Sequence, residues 1–171
     1  MKKIILTFAL FVAVCVAANA QKFALVDMEY IMKNIPAYET ATEQLNQVSK
    51  KWQQEVEALN AETEKLYKNY QTELVFLSPD MKNKRENEIV EKEKAAQELK
   101  RKYFGPDGEL FKKRESLMKP IQDEIYNAIK SVSEEKAYQL IVDKSSAMNI
   151  IYASPKIDIS DEVLSKMGYA K

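Results

Sequence analysis

The feature that most limits how this chain can fold is a run of residues, from position 37 to position 78, that contains neither glycine nor proline. Apolar or near-apolar side chains recur along it at intervals of three and four residues, which is typical of an α-helix that buries one seam against a second helix. The seam positions are Ala41, Leu45, Val48, Trp52, Val56, Leu59, Thr63, Leu66, Tyr70, Leu74 and Leu77. This spacing predicts one helix of roughly 60 Å, at about 1.5 Å per residue. Such a helix is too long for the core of so short a chain, so it must project.

A stop and an immediate restart at Leu77-Ser-Pro-Asp80 predict that the helix turns back on itself as an antiparallel hairpin. Ser78 can cap the new helix, and Pro79 suits its first position. The apolar pattern of the returning arm runs through Met81, Ile89, Ala96, Leu99 and Tyr103, and resumes at Leu110, Leu117, Ile121, Ile125, Ala128, Ile129 and Val132. Between the two parts, residues 104–108 break the helical spacing with two glycines and a proline. Counted from the tip, this break falls opposite Lys51 and Trp52, where a kink or hinge is predicted.

Short apolar runs on both sides of the helical region predict strands. The predicted strands are 22–27, 139–143 and 149–153. Asp27 can cap a short helix over 28–33, and the pattern over 160–168 predicts a capped helix that stops at a glycine. The arm, 36–136, is therefore inserted into a small β body made of 22–35 and 137–171, within a single domain.

The predicted β body is too small to bury its own apolar side chains. Self-association through the body is the simplest solution, and a closed symmetric oligomer is its usual form. The residues predicted to mediate oligomerisation are Phe23, Leu25, Leu140, Val142, Ile150 and Tyr152.

The first 20 residues have the three parts of a secretory signal peptide. Lys2 and Lys3 precede an apolar run over 4–18, and the segment closes in Ala18-Asn19-Ala20. We expect cleavage after Ala20 and a secreted chain over 21–171 with no integral membrane segment, because the apolar run is shorter than the roughly 20 residues of a membrane span. Val14, directly before Cys15, does not fit a lipoprotein cleavage site.

The composition of the secreted chain excludes several classes of function. It has no histidine and, once residues 1–20 are removed, no cysteine. The usual zinc, thiol and Ser-His-Asp chemistries are therefore missing. Its 24 basic and 26 acidic residues leave a net charge of −2, which argues against nucleic acid as a partner. No calcium-loop spacing occurs among its carboxylates, so a binding protein without cofactor or metal is expected rather than an enzyme.

Apolar side chains cluster near the predicted tip of the hairpin. The candidate residues for binding a partner through apolar contacts are Tyr67, Val75, Phe76 and Met81. Met81 also fits the seam, and Tyr67 can shield it, so these two have a structural alternative. Val75 and Phe76 lie beside the seam position Leu74, which makes them the better candidates for an exposed contact. Along the arm, the facing charges are predicted to pair between the helices. Trp52 and Phe104 are predicted to form local packing, and the alternative is a binding pocket.

Several local strings resemble the Skp/OmpH family of periplasmic chaperones for outer-membrane proteins. These strings are Phe23-Ala-Leu-Val-Asp27, Leu77-Ser-Pro-Asp80, Ile141-Val-Asp143, Asn149-Ile-Ile-Tyr152 and Asp158-Ile-Ser-Asp-Glu-Val-Leu164. The resemblance covers the whole secreted chain. It implies a homotrimer of jellyfish-like shape, whose β body holds three helical-hairpin arms around a cavity where an unfolded barrel protein is kept without ATP. The break at 104–108 departs from the family pattern and puts a straight arm in doubt.

Two functions agree with this pattern. The first is an ATP-independent periplasmic holdase for unfolded outer-membrane proteins, and the second is a structural coiled-coil spacer or an adaptor subunit of an envelope complex. A spacer is expected to confine its apolar residues to the seam, whereas a holdase is expected to leave some exposed.

Overall fold

The computed structural model describes residues 22–147 and 149–169, so the predicted signal peptide and its cleavage site lie outside the described residues. The elements in chain order are β1 Lys22–Val26, α1 Met28–Lys33, α2 Pro36–Glu73, α3 Pro79–Phe104, α4 Glu109–Lys136, β2 Tyr138–Asp143, a 3-10 turn Pro155–Ile157 and α5 Ser160–Lys166. They form two compact units. The body unit is described over 22–34, 124–147 and 149–169, and the arm unit is 35–123. The predicted fold class, mainly helical with a small β body and a long helical hairpin, is confirmed.

The sheet of the body unit consists of β1 and β2, which run parallel. The register pairs Phe23 with Leu140 and Leu25 with Val142. Ala24, Leu25 and Val26 are buried, together with Ile31 of α1 and Ile125 of α4. The two strands come from opposite ends of the chain, as the sequence predicts, so the sheet closes only when both ends meet.

Helix α1 begins and ends as its sequence indicates, whereas α5 begins without the predicted side-chain cap, because its N-cap residue Ile159 makes no such hydrogen bond. Asp27 caps α1 by accepting a hydrogen bond of 2.9 Å from the Tyr30 amide. The amide of Ser160, the first residue of α5, donates to Asp158 Oδ1 over 2.9 Å. Gly168 follows α5 with φ +85°, a left-handed conformation that favours glycine.

The strand predicted over 149–153 is wrong, because residues 149–154 contain no regular element. The chain that follows β2 does not turn back to pair with β2. The Lys144 amide instead donates to the Val26 carbonyl over 2.8 Å, at the end of β1. Further along the chain, Asp158 forms an isolated parallel β-bridge with Leu25 of β1, and the Ile159 amide donates to the Leu25 carbonyl over 2.9 Å. Both ends of this segment are therefore held at β1, and residues 149–154 between them form no strand.

In the arm unit, α2 and α3 pack as an antiparallel hairpin. The buried seam residues are Ala41, Leu45, Val56 and Thr63 of α2 with Ile89 and Ala96 of α3. Ser78 caps α3 by accepting a hydrogen bond of 3.4 Å from the Met81 amide, as predicted. Cross-helix pairs lie at nearly equal distances along the chain from Ser78, for example Lys92 with Glu62 at 2.8 Å. The predicted hairpin register is therefore confirmed.

The predicted break in the returning arm is confirmed, but its physical cause differs from the expected one. Gly105 has φ −64°, which any residue can adopt. What requires glycine is close approach: a Cβ at Gly105 would lie 2.4 Å from the Arg101 carbonyl oxygen. A Cβ at Gly108 would lie 2.8 Å from the Tyr103 carbonyl oxygen. Real Cβ atoms do not come so near to backbone oxygens, so only glycines permit this tight connection.

Candidate functional site

The tip of the hairpin carries the most exposed apolar cluster of the arm unit. We define the tip surface as Tyr67, Leu74, Val75, Phe76 and Met81. Val75 is 80% exposed and Phe76 is 86% exposed. Both follow the end of α2 at Glu73, in a turn in which the Phe76 amide donates to the Glu73 carbonyl over 2.8 Å. Because these residues lie beyond the helix end, the seam cannot cover them.

Leu74 is a member of the tip surface that sequence reasoning missed. The predicted helix continues to position 78, which places Leu74 in the seam. In the structure α2 ends at Glu73 and Leu74 is partly exposed. The available signal was the adjacency of four apolar residues, 74–77, since an amphipathic helix rarely carries so many in succession.

Polar contacts hold the two helices together immediately behind the tip surface. The Tyr70 hydroxyl donates a short hydrogen bond to Glu86 of α3, and this bond raises the pKa of Tyr70. Arg85 lies 3.5 Å from Glu73 and 3.6 Å from Glu88. The end of the hairpin therefore has its own cross-helix contacts, and the exposed apolar side chains are not needed to close it.

An aromatic junction lies on the arm near the break. The rings of Trp52 and Tyr103 are stacked, with centroids 4.7 Å apart and planes 5° from parallel. The Tyr103 hydroxyl donates to Glu55 over 2.5 Å, which raises the pKa of Tyr103. The ring of Phe104 meets the ring of Tyr103 edge-on, with centroids 6.3 Å apart and planes at 82° to each other. The predicted pairing of Trp52 with Phe104 is therefore wrong, and the neighbouring residue takes the stacked position.

The body unit exposes apolar side chains on and beside its sheet. The six residues predicted to mediate oligomerisation were Phe23, Leu25, Leu140, Val142, Ile150 and Tyr152. Phe23 and Leu140, partners in the strand register, are both about half exposed. Tyr152 and its neighbour Ile151 project almost completely into solvent, and Ile150 is exposed as well. Leu25 is buried within its own chain, and Val142 is half-buried.

Residues 22–167 match the family described as Outer membrane protein (OmpH-like). That match spans most of the chain. The chain belongs to the OmpH-like family. Among its relatives, the Chaperone protein Skp of Yersinia enterocolitica is 25% identical over an alignment of 171 positions, which covers 98% of this chain and 99% of the relative.

A solved structure has the same fold as this OmpH-like chain. It comes from Caulobacter crescentus CB15 and is described as an outer membrane chaperone (OmpH-like). The TM-score is 0.68 at 12% sequence identity, and the match covers 88% of this chain and 86% of the other. At so low an identity the likeness concerns the fold alone.

Charged side chains form a cluster at the ends of the strands in this OmpH-like body unit. Lys144 Nζ lies 2.8 Å from Asp158 Oδ2 and 3.4 Å from Asp27 Oδ2. The Ser160 hydroxyl donates to Asp158 Oδ1 over 2.6 Å and accepts from the Asp27 amide over 2.8 Å. These contacts tie the two strand ends to the start of α5, so the cluster serves the fold of the body unit.

The described residues also limit the chemistry of the site. Within 22–147 and 149–169, no group of three or more His, Cys, Asp or Glu side chains is arranged to hold a metal ion. None of the helices in that part of the chain combines the length and the apolar character needed to cross a membrane.

Proposed function

We propose that this OmpH-like protein is an ATP-independent periplasmic holdase chaperone. It acts as a homotrimer on unfolded outer-membrane β-barrel proteins, which it binds between helical arms and keeps from aggregating. It performs no catalysis and takes no cofactor. Residues 22–35 and 137–171 assemble the trimer within one domain, and residues 36–136 form the arm that contacts the client.

The observation that carries this proposal is the exposure of Val75 and Phe76. Large apolar side chains in water are costly, and monomeric proteins seldom keep them together at one end of a structure without a binding role. Tyr67, Leu74 and Met81 extend the same surface. An unfolded client presents apolar segments in no fixed geometry, which suits a scattered surface better than a shaped pocket.

The tip surface also bears on the rival function of a coiled-coil spacer. A spacer needs only the seam, which the arm unit already has in Val56, Ile89 and Ala96. Val75 and Phe76 contribute nothing to that seam. Their exposure beyond the end of α2 therefore favours binding of a client over a purely structural role. The chaperone name of the Yersinia enterocolitica relative supports the same proposal.

Suppression of aggregation tests the proposal directly. A urea-unfolded outer-membrane barrel protein is diluted into buffer without ATP, and light scattering is followed as the concentration of the secreted chain is raised. We expect suppression to saturate near one trimer per client, because enclosure in a cavity has a fixed capacity. The double substitution Val75→Ser with Phe76→Ser is expected to weaken the protection while helix content and oligomeric mass stay unchanged.

The matched control is Gln71→Ser with Thr72→Ser, which changes two exposed polar residues in the last turn of α2. This control is expected to protect as well as the unchanged chain. If scattering is unaffected by a several-fold excess of intact trimer, the holdase function is excluded and the spacer function takes its place. If both double variants lose protection equally, the tip surface is not the contact region.

A further inference from the structure

A groove lies on the arm unit where α3 ends, away from the tip surface. It has a volume of about 320 Å³ and is lined by Gln53, Val56, Glu57, Asn60, Lys100 and Phe104. Pockets for small ligands measure roughly 300–1,000 Å³. A groove at the lower end of this range accommodates one bulky apolar side chain with its flanking backbone.

The break in the arm creates this groove. In an uninterrupted helix, a side chain leans back over the turn before it, so the residue at position 108 would cover Phe104. Here α3 ends at Phe104, position 108 is a glycine in the connection, and no side chain arises there. Phe104 therefore stays 37% exposed, whereas Val56 beneath it is only 6% exposed. The groove has an apolar floor and an apolar wall.

Phe104 is held in place before any ligand arrives. Its ring meets the edge of Tyr103, which is itself stacked on Trp52 and hydrogen-bonded to Glu55. A side chain that is already ordered loses little conformational entropy on binding. This wall of the groove is therefore prepared for contact with a ligand.

The polar groups on the rim indicate the chemistry of the ligand. The charges of Glu57 and Lys100 cancel, and the amides of Gln53 and Asn60 offer both donors and acceptors. The Gln53 amide donates to Glu57 over 2.9 Å, so part of this rim is already ordered. An anionic ligand would call for an excess of basic groups, and a metal cation for several carboxylates. A neutral rim of mixed donors and acceptors matches the uncharged amides of a polypeptide backbone.

We propose that this groove binds an apolar side chain and its flanking backbone from an extended segment of unfolded polypeptide. The inference rests on the proposed chaperone function and adds a second contact region to the tip surface. Along α3, the 23 positions from Met81 to Phe104 separate the two regions by about 35 Å at 1.5 Å per residue. A long client that has bound one region reaches the other as an intramolecular step, which strengthens the overall binding.

The test titrates the secreted chain, residues 21–171, with an acetylated and amidated peptide of serine and glycine around one central phenylalanine. Amide chemical shifts are followed by NMR, and we expect the largest changes over 53–60 and 100–108. Asn60→Arg places a long cationic side chain on the rim without touching the seam. It is expected to raise the Kd about tenfold, the effect of losing burial of roughly half an aromatic side chain. Gln54→Arg, at an exposed position of α2 outside the lining, is expected to change the Kd less than about twofold.

The outcomes separate this inference from the proposed function. If the chain suppresses aggregation but the peptide leaves 53–60 and 100–108 unshifted, the groove inference is overturned and the chaperone function stands. If the peptide binds there but aggregation is never suppressed, the groove binds polypeptide and the chaperone proposal fails. Equal weakening by Asn60→Arg and Gln54→Arg overturns the inference. The inference is also overturned if Asn60→Arg changes the oligomeric mass and leaves the Kd for the peptide unchanged. That result would make the groove a contact between copies of the chain.

Discussion

Lys144 is the residue on which the charge cluster of the body unit depends. Partial burial acts to raise the pKa of Asp158, but the ion pair with Lys144 and the hydrogen bonds from Ser160 outweigh it and hold that pKa below its usual value. Asp143 behaves similarly, because hydrogen bonds from Ser145 and from the Met28 amide outweigh burial and lower its pKa. Both carboxylates are therefore more acidic in the folded chain than in the unfolded one.

A lowered pKa makes stability depend on pH in a defined direction. An aspartate with a lower pKa in the folded state stabilises it above the unfolded pKa, about 3.9, and this stabilisation is lost as the pH falls through the folded pKa. We expect the stability from this cluster to be constant from about pH 7 to pH 5 and to fall below about pH 4. Urea unfolding at a fixed chain concentration measures the free energy of unfolding across this pH range.

Lys144→Met removes the charge that contacts Asp158 and Asp27 but keeps an apolar stem. We expect it to lower the free energy of unfolding by about 1 kcal/mol at pH 7, since these partly exposed ion pairs are screened by water. The difference in the free energy of unfolding between this variant and the unchanged chain should shrink near pH 2, where the carboxylates are protonated. Lys156→Met, at an exposed position nearby, serves as the control. Equal losses at pH 7 and pH 2 would show that the ion pairs do not carry the effect.

At the scale of elements, the connection between α3 and α4 is the exception in an otherwise continuous arm pattern. The Gly105 amide donates to the Arg101 carbonyl over 2.8 Å, and the Gly108 amide to the Gly105 carbonyl over 2.9 Å. These bonds close a tight connection in which Pro106 has no amide to contribute. The regular ladder of helical hydrogen bonds is interrupted there. Local opening of this connection therefore costs less free energy than the unfolding of a helical segment.

Hydrogen exchange tests this difference between elements. We expect amides over 104–109 to exchange faster than those in the adjoining parts of α3 and α4, because local opening there breaks fewer hydrogen bonds and less packing. Mass spectrometry of peptides that cover 90–130, with the last turns of α2 as an internal reference, resolves the pattern. Uniform protection from 90 through 130 would instead indicate one rigid helical arm.

At the scale of the whole molecule, the body unit leaves apolar side chains exposed that one chain does not cover. Phe23 and Leu140 are side by side on the sheet, and Ile151 and Tyr152 project from the segment after β2. We predict that other copies of the chain cover these side chains in a homotrimer. The secreted chain should therefore have the mass of three chains by sedimentation at micromolar concentration, and a stable folded monomer would contradict this.

Ile151→Ser with Tyr152→Ser tests which surface holds the trimer. Both side chains are exposed in the single chain, so the double variant should lose trimer mass while the helical arm persists. Lys156→Ser, in the same segment, should leave the mass unchanged. Truncation after position 148 is a poorer experiment, since it also removes Ile159, Val163 and Leu164 from the core of the body unit. Retention of full trimer mass in the double variant would exclude this segment as the contact.

The sequence by itself determined the helical hairpin, its tip and its break. These features depend on neighbours within a few positions: the spacing of three and four residues, Ser78 and Pro79 at the start of α3, and the pair Gly105 and Gly108. Val75 and Phe76 were identified for the same reason, since residues beside a seam position at a helix end have nowhere local to pack. Leu74 was missed because the spacing of three and four residues also places it in the seam, although the four adjacent apolar residues 74–77 argue against a helix that continues to position 78.

Only the tertiary structure decided the partners of residues that meet across the fold. Tyr103 rather than Phe104 stacks on Trp52, because the choice depends on the rotation of two packed helices at the point where one of them ends. Residues 149–153 have the composition of a strand, but a strand needs an adjacent edge. The residues that flank this segment are held at β1, where the Lys144 amide donates to Val26 and the Ile159 amide donates to Leu25, and the segment between them pairs with no strand. The hydrogen bonds from Lys144 to Val26 and from Ile159 to Leu25, and the ion pair of Lys144 with Asp27, join residues more than a hundred positions apart, so a local pattern cannot specify them.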